Sequence, residues 1–140
     1  MMRHTLGRLH QSVKVLLVRQ SSSFTLTRVF TPVDLKRYAD LSGDCNPIHL
    51  DDDNPIVHGT FLLGVISGIM GTKCPGPGSR VISLRSEFLR PCLLHREIEF
   101  RVEITSSRKI LECQFNVSDK SHGDILVRGE AKLRRKTTLN

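Results

Sequence analysis

An α+β fold is predicted, with an antiparallel sheet curled around one buried helix. The segment Gly59 to Gly71, GTFLLGVISGIMG, carries Phe61, Leu62, Leu63, Val65, Ile66, Ile69 and Met70. A helix there is apolar all round and needs cover on every side. After residue 80 the apolar period changes to two in four successive segments, the mark of strands with one dry face. Hairpin-sized polar links near Ser106-Ser107 and Asp119 to Gly123 make neighbouring strands antiparallel.

The chain opens differently. Residues 1–23 hold Arg3, Arg8, Lys14 and Arg19 and no acidic residue, while Leu6, Leu9, Val13, Leu16 and Leu17 recur at helical spacing. A basic, acid-free, amphipathic leader is the pattern of a mitochondrial transit peptide and predicts a matrix location. Its apolar residues are too few for a membrane span, which needs about 20.

One folded domain is expected over residues 24–140. FTLTRVF reads as a strand with Phe24, Leu26 and Phe30 on one face. Thr31-Pro32 supplies an N-cap and first helical position, opening a helix from Val33 to Leu41 that Ser42-Gly43 stops. Asp44 to Asn54 is polar and contains Pro47, so it is expected to be loop and not helix. The central helix follows. Gly64, Gly68 and Gly71 recur in it; each interior glycine costs about 1 kcal/mol against alanine, which predicts close approach of another backbone. KCPGPGS, residues 73–79, is an irregular turn.

Four alternating segments complete the chain: Ile82, Leu84, Ser86, Phe88; Ile98, Phe100, Val102, Ile104; Leu111, Cys113, Phe115, Val117; and Ile125, Val127, Gly129, Ala131, Leu133. An antiparallel sheet with one wet side must bury its other face, and the one greasy element on offer is the Gly59–Gly71 helix. This arrangement is the hot-dog fold.

Composition removes several functions. The chain has 140 residues and a formal net charge of +7. Loss of residues 1–20 would leave 17 basic against 14 acidic residues, too mild for a nucleic-acid footprint. The absence of tryptophan and the single tyrosine argue against base-stacking platforms. Cys45, Cys74, Cys92 and Cys113 form no close pair, so neither a zinc finger nor a redox dithiol is supported, and free thiols are expected.

The chemistry concentrates between Tyr38 and Gly71. Asp44 and His49 lie five positions apart on one polar loop. A carboxylate and an imidazole converging on an apolar pocket can share a water, one accepting a proton while the other donates. No nucleophile elbow, HExxH, P-loop or GxGxxG occurs. His49, Asp51, Asp52, Asp53 and His58 could in principle hold a metal, but three adjacent carboxylates more often form a solvated turn. The expectation is acid–base chemistry with no metal and no cofactor. Gly59 opens the buried helix, and a free N–H there could hold a carbonyl oxygen as it becomes enolate-like.

YADLSGDCNPIH, followed by PIVHG and ISGIMG, resembles the type-2, (R)-specific enoyl-thioester hydratases of the MaoC-like family, and within it the mitochondrial 3-hydroxyacyl-thioester dehydratase branch. KCPGPGS and EFLRP fit the same pattern, so the resemblance runs from about Phe24 to the C-terminus. It implies that Asp44 and His49 form the catalytic dyad, that Asn46 shapes their loop, that the Gly59 N–H polarises the thioester carbonyl, and that Ser67 hydrogen-bonds the dyad aspartate. The implied reaction is reversible syn dehydration of (3R)-hydroxyacyl thioesters to trans-2-enoyl thioesters. In mitochondria the substrate would ride on acyl carrier protein, an acidic partner for which Lys73, Arg80, Arg85 and Arg90 could form a docking rim. Members of this type usually form homodimers.

There are two departures from the family. Between His49 and Pro55 only LDDDN stands, where the family carries a longer segment overhanging the acyl pocket. After Leu94 the chain has His95-Arg96 where glycine and an acidic residue are usual, so positive φ at a histidine is expected. A non-catalytic acyl-carrier-binding hot-dog domain and a hot-dog thioesterase are the alternative functions, since one fold supports several chemistries.

Overall fold

A computed structural model describes residues 22–51 and 53–135. Residues 1–21 of the expected transit peptide lie outside the described residues, and Ser23, its last residue, already belongs to the first strand. The order is β1 (Ser23–Arg28), α1 (Pro32–Ser42), α2 (Pro47–Leu50), α3 (Gly59–Thr72), β2 (Ser79–Phe88), β3 (Ile98–Ser107), β4 (Leu111–Asp119) and β5 (Asp124–Arg135). The strands form one antiparallel sheet in the order β1-β3-β4-β5-β2, with α3 packed on its dry face. This is the hot-dog arrangement.

The strand alternation places Ile98, Phe100, Val102, Leu111, Cys113, Phe115, Val117, Val127, Ala131 and Leu133 against Leu62, Ile66, Ile69 and Met70 of α3 in one core. The start of α1 follows its sequence signals: the Asp34 carboxylate accepts from the Thr31 N–H at 2.9 Å and from its hydroxyl at 3.0 Å. These bonds tie up groups that would otherwise be orphaned at the helix start. Gly43 ends α1 at φ 79°, a left-handed conformation that glycine adopts without a Cβ clash.

Several expectations are corrected. Residues 47–50 are a helix after all. Pro47 occupies its first position, where the missing N–H is not needed, and Asn46 caps it. Phe30 lies beyond the end of β1 and is fully buried, while Leu26 is left exposed because β1 is a sheet edge. Leu126, not Ile125, points inward, because a register shift near Val117/Ser118 changes the phase of β5.

The largest corrections concern α3 and β2. Helix α3 is not buried all round: Gly64, Ser67, Gly68 and Gly71 are exposed. Among the described residues nothing outside α3 lies within 4 Å of where a Cβ would sit on Gly64, Gly68 or Gly71, so the expected close approach of another backbone is not made there. Strand β2 is the other edge of the sheet, and its apolar residues stay open, with Ile82 45 % and Phe88 54 % exposed.

Candidate active site

The site is assembled where α1 ends, α2 turns and α3 begins. The Asp44 carboxylate accepts from the Asn46 N–H at 3.2 Å, and the Asn46 side chain accepts from the Ile48 N–H at 3.4 Å. Each short polar side chain thus folds back on its own backbone, directing the turn into α2. His49 follows on that helix and is buried.

The shortened segment after His49 has a direct structural consequence. The chain returns within seven residues, the Ile56 N–H donates to the Ile48 carbonyl at 3.1 Å, and His49 Nδ1 meets the Ile56 carbonyl at 2.7 Å. A carbonyl only accepts, so Nδ1 carries the proton and neutral His49 presents a bare Nε2. That nitrogen stands 3.9 Å from Asp44 Oδ2. The separation exceeds a direct hydrogen bond and leaves both groups free to act on one atom between them.

His58, at the N-cap of α3, is completely buried. Its Nε2 lies 3.0 Å from the Asp44 carbonyl oxygen, and its ring stacks on His49 with centroids 3.8 Å apart and planes 23° apart. Tyr38 meets its edge at 4.8 Å, stacks on Phe61 at 4.7 Å, and donates to the Thr60 hydroxyl at 2.8 Å. Gly59 begins α3 beside these rings.

These groups open on a cavity of about 490 Å3, lined by Asp44, His49, Ile56, Val57, Gly59, Thr60, Leu62, Phe88, Leu89, Arg90, Pro91 and Cys92. The walls are mainly apolar and the polar groups few, the make-up of a site for a largely apolar ligand. Phe88 lies so close to Gly59 that a Cβ there would come within 2.6 Å of its ring. A larger cavity, about 900 Å3, lies on the sheet among Arg85, Glu87, Arg101, Glu103, Arg128 and Glu130. Its lining includes neither Asp44 nor His49.

Asp44, His49 and His58 each offer a potential metal ligand within 4.8 Å of the others. The stack argues against a shared ion. Two imidazoles lying nearly face to face cannot both aim in-plane lone pairs at one ion about 2 Å away.

Of the residues expected from sequence, Asp44, Asn46, His49 and Gly59 come together. Ser67 does not join them: it is exposed two turns into α3, and among the described residues it makes no hydrogen bond to Asp44. The four cations do not form one rim either. Arg90 lines the cavity and pairs with Asp124 at 3.6 Å, whereas Lys73 caps the opposite end of α3, a helix about 21 Å long. Arg80 stands near the start of β2, far from Phe88 at its end, and Arg85 faces the other cavity. Sequence reasoning missed Tyr38 and Thr60 altogether, and saw His58 only as a possible ligand. A histidine between PIV and the helix-opening glycine was the available signal for a buried imidazole.

The MaoC-like domain profile matches residues 17–123. A 3-hydroxybutyryl-CoA dehydratase of Methylorubrum extorquens is 31 % identical over 119 residues, covering 76 % of this chain and 73 % of the relative. The solved (R)-hydratase of A. caviae, involved in PHA biosynthesis, superposes with a TM-score of 0.78 at 28 % identity, over 86 % of this chain and 99 % of that one. A mitochondrial 3-hydroxyacyl-[acyl-carrier-protein] dehydratase of Arabidopsis thaliana is 31 % identical over 91 residues, spanning 59 % of this chain and 54 % of the relative. With a matching profile over most of its length, the same fold, and an aspartate and histidine converging beside the helix-opening glycine, the chain belongs to the MaoC-like domain family.

Proposed function

We propose that this chain catalyses the reversible dehydration of (3R)-hydroxyacyl thioesters to trans-2-enoyl thioesters. The observation that carries the reading is the convergence of Asp44 Oδ2 and His49 Nε2, 3.9 Å apart, on an apolar cavity that also contains Gly59. In the hydration direction the two side chains hold one water. Its oxygen adds to C3 while its proton is taken up by the pair, and the pair returns a proton to C2 on the same face. The Gly59 N–H at the start of α3 holds the thioester oxygen as charge develops there. Asn46 supports the loop, and Asp44 and His49 divide the proton transfers between them.

The test is hydration of crotonyl-CoA with chiral analysis of the product. The (R)-3-hydroxy thioester is expected, with Asp44→Asn and His49→Ala each losing at least about 100-fold in kcat. Wild-type rates in both variants would sink the dyad. Release of free thiol would point to a thioesterase, and tight acyl-carrier binding without turnover to a non-catalytic domain.

The mitochondrial setting is part of the same proposal. Residues 1–23 act as a transit peptide delivering residues 24–140 to the matrix, where the substrate is carried by acyl carrier protein in fatty-acid synthesis. The basic leader and the likeness to the Arabidopsis enzyme support this. Arg90, at the cavity, is the best-placed cation for an acidic carrier; Lys73, Arg80 and Arg85 lie elsewhere. Among the described residues no helix is long and apolar enough to cross a membrane. The working form is a homodimer that covers the open face of α3 and the edge of β2. Ser67, on that open face, takes up its supporting role only when the face is covered.

A further inference from the structure

We infer that His58 is a positioning residue that fixes the dyad and the carbonyl-holding N–H relative to one another. The inference rests on the dehydratase reading. His58 touches each part of the proposed machinery by a different route. Its Nε2–H donates to the Asp44 backbone carbonyl at 3.0 Å, and its ring face supports His49 at 3.8 Å. Its own carbonyl accepts the first α3 bonds, from the Phe61 N–H at 3.0 Å and the Leu62 N–H at 3.3 Å, so the same residue starts the helix at Gly59. Tyr38, held in turn by Phe61 and Thr60, keeps the His58 ring from turning.

Packing alone does not account for a histidine here. The hydrogen bond to a carbonyl requires a proton on Nε2, and Nδ1 is buried with no hydrogen-bond partner among the described residues. An apolar ring would fill the same space without that orphaned atom, and buried polar atoms are normally satisfied. What the histidine adds is the bond to Asp44. The Asp44 carboxylate itself is 46 % exposed, so its backbone must be held from behind.

Two substitutions in the full-length chain separate the roles. His58→Phe keeps a ring against His49 and Tyr38 but removes the donor. His58→Gln keeps an N–H for the Asp44 carbonyl but removes the ring. With crotonyl-CoA, His58→Phe is expected to lose about 10- to 100-fold in kcat with KM within about twofold, the pattern of displaced catalytic groups. His58→Gln, which keeps the donor to Asp44 but gives up the ring against His49, is expected to lose less in kcat than His58→Phe. Thermal melting of both variants shows how much of each sample is folded. Backbone 15N relaxation at residues 44–46 gives a readout independent of turnover, and these residues are expected to gain mobility in His58→Phe and not in His58→Gln. Wild-type kcat and unchanged loop order in His58→Phe overturn the inference, as does a rate loss that merely follows the unfolded fraction. Absence of hydration by the wild type overturns the dehydratase reading instead, and the relaxation measurement then decides the role of His58 alone.

Discussion

At the scale of single residues, environment separates groups of the same type. Burial, with the Asp119 charge nearby, pushes the Cys92 thiol up to about 12. Burial likewise raises Cys113 to about 11 and Cys74 above its ordinary value, while Cys45 is exposed. A thiol reagent at pH 8 is therefore expected to modify Cys45 in the folded protein and the other three only after denaturation, read by mass spectrometry. Asp119 is buried and accepts from Arg96 at 2.7 Å and from the Ser121 N–H at 2.9 Å. The Arg96 hydrogen bond is the strongest influence on this carboxyl and holds it below its ordinary range. Its folded pKa lies below its unfolded one, so the stabilisation is present above the unfolded pKa and is lost as pH falls through the folded value. Asp119→Asn is expected to melt lower than wild type at pH 7, with the gap closing in acid below about pH 4. His95 does take positive φ, at 59°, as its place after Leu94 predicted. His95→Gly is expected to stabilise the protein by up to about 1 kcal/mol in denaturant titrations, because glycine carries no Cβ penalty there. The approach of Asp44 and His49 was legible in sequence because the two share one short loop. His58 was not, because its partners come from three other places in the chain.

At the scale of elements, alternation located the strands but not their cover. Strands β3 and β4 are flanked on both sides and bury the residues their period marks, except for Ile104, which is half-buried. Strand β2 has the same period yet sits at an edge, so Ile82 and Phe88 remain open. Register shifts at Val81/Ser83 in β2 and Val117/Ser118 in β4 change which residue faces inward, and no local pattern announces them. Gly129 is closely covered in the sheet: a Cβ there would meet the Arg85 carbonyl oxygen and the Phe115 ring. Gly129→Ala is expected to destabilise by about 1–3 kcal/mol, measured by chemical denaturation.

At the scale of the whole molecule, one chain leaves unfinished surfaces on two adjoining elements. The small-residue face of α3 and the apolar edge of β2 are both open to solvent, and an unpaired apolar strand edge is a template for pairing with another chain. In sedimentation velocity the wild type is expected to be dimeric, and Ile82→Glu on that edge is expected to shift it toward monomer. A monomeric wild type at micromolar concentration would remove the homodimer.

The sequence by itself determined the central helix, the antiparallel sheet and the pairing of Asp44 with His49, because periodicity and a short loop are local properties. It did not determine which faces stay open, how His49 is oriented, or that a second imidazole lies against it. Those depend on which strand ends a sheet, on the Ile56–His58 segment meeting the Asp44–His49 turn and on Tyr38 meeting His58, contacts that only the folded chain makes.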